Sequence, residues 1–113
     1  WELHRVWVVE ATLKPGKRHI YSKRTFYIDE DSWIALASDE YDANGQLYRG
    51  SFAHLAYSYD VQAPNSDNHM IYDFIAGSYN ITGMYGPYGG IKYIEPLSKA
   101  KWVPESLAGT GIR

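Results

Sequence analysis

At 113 residues the chain has the length of one domain, large enough to bury a core of its own. Its formal charge of −2 removes the basic footprint that nucleic-acid binders carry, and the absence of cysteine excludes disulfides and thiolate metal sites. A composition that is 45% hydrophobic and 16% aromatic, with 11 Tyr and 4 Trp, excludes disorder and suits β-strands.

No apolar run approaches the ~20 residues a helix needs to cross a bilayer, and no signal-peptide pattern is present. The chain opens at Trp1 directly in strand-like sequence, which reads as the C-terminal portion of a longer protein.

In chain order, "LHRVWVVEATL" (3–13), "IYSKRTFYI" (20–28), "WIALASDEYD" (33–42) and "LYRGSFAHLAYSYDV" (47–61) read as four antiparallel strands. They are joined by "KPGKR", "DEDS" and "ANGQ", which hold the Gly, Pro, Asn and Asp that turns require. Residues 1–61 are therefore a four-stranded meander. Residues 62–90 hold the loop "QAPNSDN" and a further hairpin, "HMIYDFI" with "YNITGMY", turning at Ala76, Gly77 and Ser78. Residues 91–113 form a Gly- and Pro-rich tail in which Pro104 to Ala108 reads as a short helical turn, with Pro at its start and Gly109 past its end. The fold class is all-β: a curved antiparallel meander of about six strands, a single domain over 1–113.

A register can be proposed from the Asn44-Gly45 pair. A two-residue type I′ turn there sets Tyr41 opposite Tyr48 and Glu40 opposite Arg49, each pair contributing roughly 0.2–1 kcal/mol. Carried backwards with Ile28 opposite Trp33, this sets Phe26 by Ala35; a four-residue "KPGK" loop then sets Trp7 by Arg24. One face would carry Trp7, Val9, Phe26, Trp33, Ala35, Tyr41 and Phe52, the other Val8, Tyr27, Leu36, Leu55, Tyr57 and Tyr59. Both are apolar, whereas an antiparallel sheet with one wet face should show a polar side. No helical periodicity exists to supply a cover. The cover is missing from this chain, is supplied by a second copy, or is replaced by an apolar ligand.

The stretches "LHRVWVVEATLKPGKRHIYSKRTFYIDEDSW" and "YDANGQLYR" resemble the C-terminal part of a Gram-negative envelope family of unknown function that is similar to outer-membrane lipoprotein-sorting proteins. The resemblance covers most of residues 1–60 and continues more weakly through "YDFIAGSY" and "VPESL". It implies a fold like that of the periplasmic lipoprotein carrier and its outer-membrane receptor (LolA/LolB-like), a half-closed β-barrel plugged by helices whose cavity accepts acyl chains. This chain departs from that pattern in having only a set of strands and no helical plug. A periplasmic or outer-membrane-associated location is likewise what the resemblance implies.

Catalytic signatures are absent: there is no GxSxG elbow, Walker loop or GxGxxG, and no Cys nucleophile. His4, His19, His54 and His69 form no metal-binding spacing, and on this register His4 and His54 face opposite ways. Asp29 to Asp31 lack the spaced oxygens of an EF-hand and read as a turn, while Glu40 is expected to pair with Arg49. The "NIT" at Asn80 fits a glycosylation acceptor but falls in a strand. "MYGPYGGIKY" reads either as a mobile lip or as an ordered connection packed by its tyrosines. No cofactor, metal or catalytic residue is expected.

The function expected is non-enzymatic: binding or transfer of a lipid or other hydrophobic ligand, lined by Trp7, Val9, Phe26, Trp33, Ala35 and Phe52. A basic patch of Lys14, Lys17, Arg18, Lys23 and Arg24 at the first turn offers contact with a membrane surface. The alternative is a protein–protein interaction module, using a sheet face or edge against an envelope partner or a second copy. An enzyme of unknown reaction ranks third.

Overall fold

The computed structural model describes residues 2–84 and 86–108. Six strands lie side by side in chain order: β1 (Val6–Thr12), β2 (Lys23–Asp29), β3 (Ala35–Tyr41), β4 (Leu47–Ser58), β5 (Ala63–Asp73) and β6 (Ser78–Thr82). Every neighbouring pair is antiparallel, so the fold is the meander the turn residues announce. The sheet is open, with β1 and β6 as its edges. Two short 3₁₀ turns (Gly86–Tyr88 and Lys99–Lys101) and one helix, α1 (Pro104–Ala108), complete the tail; Gly109 lies outside the described residues.

Among the described residues no apolar side chain is buried, and the buried ones are polar: Thr25, Asp29, Ser38 and Glu40. The chain exposes 9504 Å² for a mass of 12.9 kDa, against about 6300 Å² for a compact monomer of that mass. Apolar side chains on both faces, Trp7, Val8 and Val9 among them, are exposed. Among the described residues no helix or second sheet packs on either face of the sheet.

The turns correct the proposed register. "KPGK" makes a tight turn, with the Lys17 N–H donating to Lys14 O and Gly16 at φ +74°, but it does not close the hairpin. Leu13 N–H donates to Ser22 O, so residues 14–21 form the tip and Trp7 lies opposite Ile28 rather than Arg24. That slip of four leaves Trp7 and Val9 on the same face as Phe26, because side chains alternate with period two.

The second turn changes more. Asp29 Oδ2 accepts the Ser32 N–H and Oγ–H at 2.9 and 2.6 Å, and the Trp33 N–H donates to Asp29 O. Residues 30–33 are thereby looped out, Asp29 pairs with Ile34, and Trp33 takes the left-handed conformation at φ 60°. A bulge then inserts Leu36, so Ile28 faces Ala35 while Tyr27 faces Ala37 and Phe26 faces Ser38.

The third turn is a three-residue loop and not type I′. Asp42 O accepts from Gly45 N–H, Gly45 lies at φ +76°, and the Asp42 carboxylate accepts from the N–H groups of Asn44 and Gln46. Glu40 still faces Arg49, but Tyr41 faces Leu47 instead of Tyr48. The expected loop "QAPNSDN" is largely strand, since β5 begins at Ala63. Pro64 is accommodated there because β6 reaches only as far as His69, leaving that part of β5 an edge.

Candidate functional site

The six residues expected to line a ligand site do not gather on one face. Trp7, Val9, Phe26 and Ala35 share a face through the pairs Trp7–Ile28, Val9–Phe26 and Ile28–Ala35. Phe52 lies on the opposite face, paired with Ala37 and Met70, because the Leu36 bulge changes the parity between β2 and β3. Trp33 belongs to neither face; it stands in the β2–β3 turn, 72% exposed.

A groove lies elsewhere on the sheet. It holds about 630 Å³ and is lined by Leu36, Phe52, Ala53, Leu55, Tyr57 and Tyr59, with Glu2, His4 and His54 supplying its polar groups. Two irregularities flank it: the Leu36 bulge on β3, and a register shift at His54 and Leu55 where β5 carries the extra residue Asp67. Phe52 to Leu55, four consecutive residues of β4, line this hollow beside the shift. Tyr57 and Tyr59 meet edge to face at 5.1 Å, and Phe52 meets Tyr72 in the same manner at 6.1 Å. Contrary to the register proposed from sequence, His4 and His54 line the same groove. Alternation assigned Leu55 and Tyr57 to a shared face and Phe52 to the other, yet all three line this groove.

Hydrogen bonds fix the groove's polar end. His4 Nδ1 lies 3.0 Å from Asp29 Oδ1 and its Nε2 lies 3.2 Å from Glu2 Oε2; the bond to Glu2, then that to Asp29, raises the pKa of His4. Asp29, 1% exposed, is held below the ordinary carboxylate range chiefly by the Ser32 hydroxyl, against the effect of its own burial. His54 Nδ1 bonds the side-chain oxygen of Asn68. His4, Asp29 and Asp31 bring donor atoms within 4.8 Å of one another, a grouping of the kind metals use. Both oxygens of Asp29 already receive hydrogen bonds from His4 and Ser32, so the turn itself accounts for the arrangement.

Glu40 and Arg49 have partners within the sheet. Glu40 faces Arg49 across the ladder without bonding it, and accepts instead from Ser38 Oγ at 2.7 Å and Ser51 Oγ at 3.1 Å. Arg49 reaches Asp73 at 3.1 Å and the hydroxyls of Tyr21 and Tyr48, each at 3.0 Å, which raises its pKa further. Of the basic patch, Lys14, Lys17 and Arg18 are exposed at the β1–β2 tip; Lys23 bonds Glu10 at 3.3 Å, and Arg24 stacks over Tyr21 and Phe26.

An open antiparallel meander with an apolar groove at one end and, among the described residues, no layer packed on the sheet defines a wall-like β module. The chain belongs to the family described as protein of unknown function (DUF1329), whose pattern matches residues 1–108. It is 44% identical over its whole length to the uncharacterized protein PA3922 of Pseudomonas aeruginosa, and spans about a quarter of that relative, 25% of its length. Two crystal structures share the fold at TM-score 0.59 over 90% of this chain. One is a DUF1329 family protein from Desulfovibrio piger, 20% identical, of which this chain covers 40%. The other is described as an outer membrane lipoprotein-sorting protein domain, from Vibrio parahaemolyticus, 16% identical and covered to 41%.

Proposed function

We propose that this module is one wall of a non-enzymatic binding protein of the bacterial envelope that holds a lipid or other hydrophobic ligand. The observation that carries the reading is the groove of about 630 Å³ with its aliphatic and aromatic lining, a size within the range of small-molecule sites. Affinity would come from apolar area removed from water, roughly 25 cal/mol per Å², and orientation from His4, His54 and Glu2 at the polar end. The likeness to a lipoprotein-sorting domain supports an envelope location and an acylated or lipidic cargo. The chain spans 25% of its Pseudomonas aeruginosa relative and 40% of the Desulfovibrio piger protein, and in this proposal further chain supplies the face opposite this wall.

The test is native mass spectrometry of the full-length protein purified from its own envelope, beside the present chain. A lipid-sized adduct on the full-length protein that organic extraction removes, and that Leu55→Glu abolishes without loss of the β-sheet circular dichroism signal, supports the reading. A ligand-free full-length protein together with a tight dimer of the present chain supports the interaction module, for which the exposed apolar faces are the specific observation.

A further inference from the structure

The end of the sheet away from the groove has a different chemistry. β1 runs seven residues from the His4 end to the hairpin tip, about 23 Å at the usual rise, so the two ends are distinct surfaces. At the tip, the tight turn from Lys14 to Lys17 sets two lysines beside a hollow of about 280 Å³ that His19, Ser22, Lys23 and Arg24 also line. His19 Nδ1 accepts the Tyr21 N–H at 3.0 Å, which holds the ring against the turn.

Apart from Lys23, which Glu10 holds, the cations here form no internal ion pair among the described residues. Among the described residues Lys14, Lys17, Arg18 and Arg24 have no carboxylate within ion-pair distance. Of the carboxylates at this end, Glu10 is taken by Lys23, and Asp42 by the N–H groups of its own turn. The same tip exposes two large aliphatic side chains, Leu13 at 38% and Ile20 at 59%. Lysines and arginine beside protruding aliphatic residues, on a chain whose net charge is −2, are the pattern of a segment that rests in a lipid interface.

We propose that the β1–β2 hairpin tip docks on an anionic phospholipid surface: Lys14, Lys17 and Arg18 meet the head-group phosphates while Leu13 and Ile20 enter the interface. This site is separate from the groove and stands whether or not the groove holds a ligand. A membrane is a better match than a free anion because the cations are spread over an exposed tip that also carries apolar surface, which a soluble phosphate would not use.

The experiment is co-sedimentation of the full-length protein with phosphatidylcholine vesicles with and without phosphatidylglycerol, at low and high salt. Binding is expected only when phosphatidylglycerol is present and should weaken with salt. The double variant Lys14→Gln, Lys17→Gln should lose about fivefold for each lysine removed. Lys99→Gln with Lys101→Gln, which removes the same charge from the tail, should leave binding unchanged. Leu13→Ser with Ile20→Ser should weaken binding without altering its salt dependence. Equal loss in the two lysine pairs, equal binding to both vesicle types, or displacement by millimolar inorganic phosphate would overturn the proposal. Lipid extracted by the groove would appear instead as phosphatidylcholine uptake that the tip variants do not change.

Discussion

His4 Nδ1 lies 3.0 Å from Asp29 Oδ1, which fastens the segment before β1 to the β2–β3 turn at the polar end of the groove. The two groups titrate in opposite senses. The pKa of His4 is raised above 6.5 in the fold, so its contribution is full below pH 6.5 and is lost as pH rises through the higher folded value. That of Asp29 is lowered below 3.8, so its contribution is present above pH 3.8 and is lost as pH falls through the lower folded value. The fastening is firmest between 3.8 and 6.5. Glu30 N–H donates to Arg5 O at 3.2 Å and reports on it. Exchange of that amide, corrected for its intrinsic rate, should speed up as pH rises above the folded value of His4, and His4→Ala should remove the dependence.

Glu40 is expected to behave as an acceptor for serines and not as half of an ion pair. It is 6% exposed and takes both the Ser38 and Ser51 hydroxyls. Glu40→Ala strands these two donors and should cost about 1–3 kcal/mol in urea unfolding. Glu40→Gln, which keeps a carbonyl acceptor, should cost less. A double-mutant cycle with Arg49→Ala should then show little coupling between residues that are ladder partners.

Trp33 offers a gain. A bulky residue at φ 60° carries a steric cost of about 1–2 kcal/mol, and an exposed ring returns little packing to offset it. Glycine relieves the strain but adds roughly 0.5–1 kcal/mol of unfolded-state entropy. Trp33→Gly should therefore raise the stability of this chain by up to about 1 kcal/mol. In the full-length protein the same change should lower stability if the ring is covered there, and denaturation of both forms separates the two cases.

These residues show where sequence reading succeeds and where it fails. Strand identity and order follow from alternation broken by turn residues, and the helix at Pro104 follows from its terminal signals. Register does not, because it depends on how many residues a turn consumes. Asp29 draws Ser32 back with two hydrogen bonds, Asp42 caps its own loop, and neither event changes the pattern of apolar and polar letters. An error of four in the first turn was harmless to the faces, whereas the single extra residue Leu36 moved Phe52 across the sheet. The groove lies at the bulges, where period-two reasoning no longer holds, so its lining could be read only in part.

Arg49 ties three parts of the sheet together, and Arg49→Lys tests the geometry of its guanidinium apart from its charge. The guanidinium bonds Asp73 at the end of β5, Tyr21 at the base of the β1–β2 tip, and Tyr48, over whose ring it stands at 4.5 Å. A lysine keeps the charge but cannot present three donors in a fixed fork, so the variant should lose about 1–3 kcal/mol of stability. The Asp73 carboxyl should nevertheless stay below 3.8, because the Ala76 N–H is the first cause of its depression and Arg49 a lesser one. Stability held by Asp73 is present above pH 3.8 and lost as pH falls below it, in the variant as in the parent. A carbon-detected titration of Asp73 that rose to the ordinary carboxylate value in Arg49→Lys would show that the arginine, and not the turn, holds this carboxylate ionised.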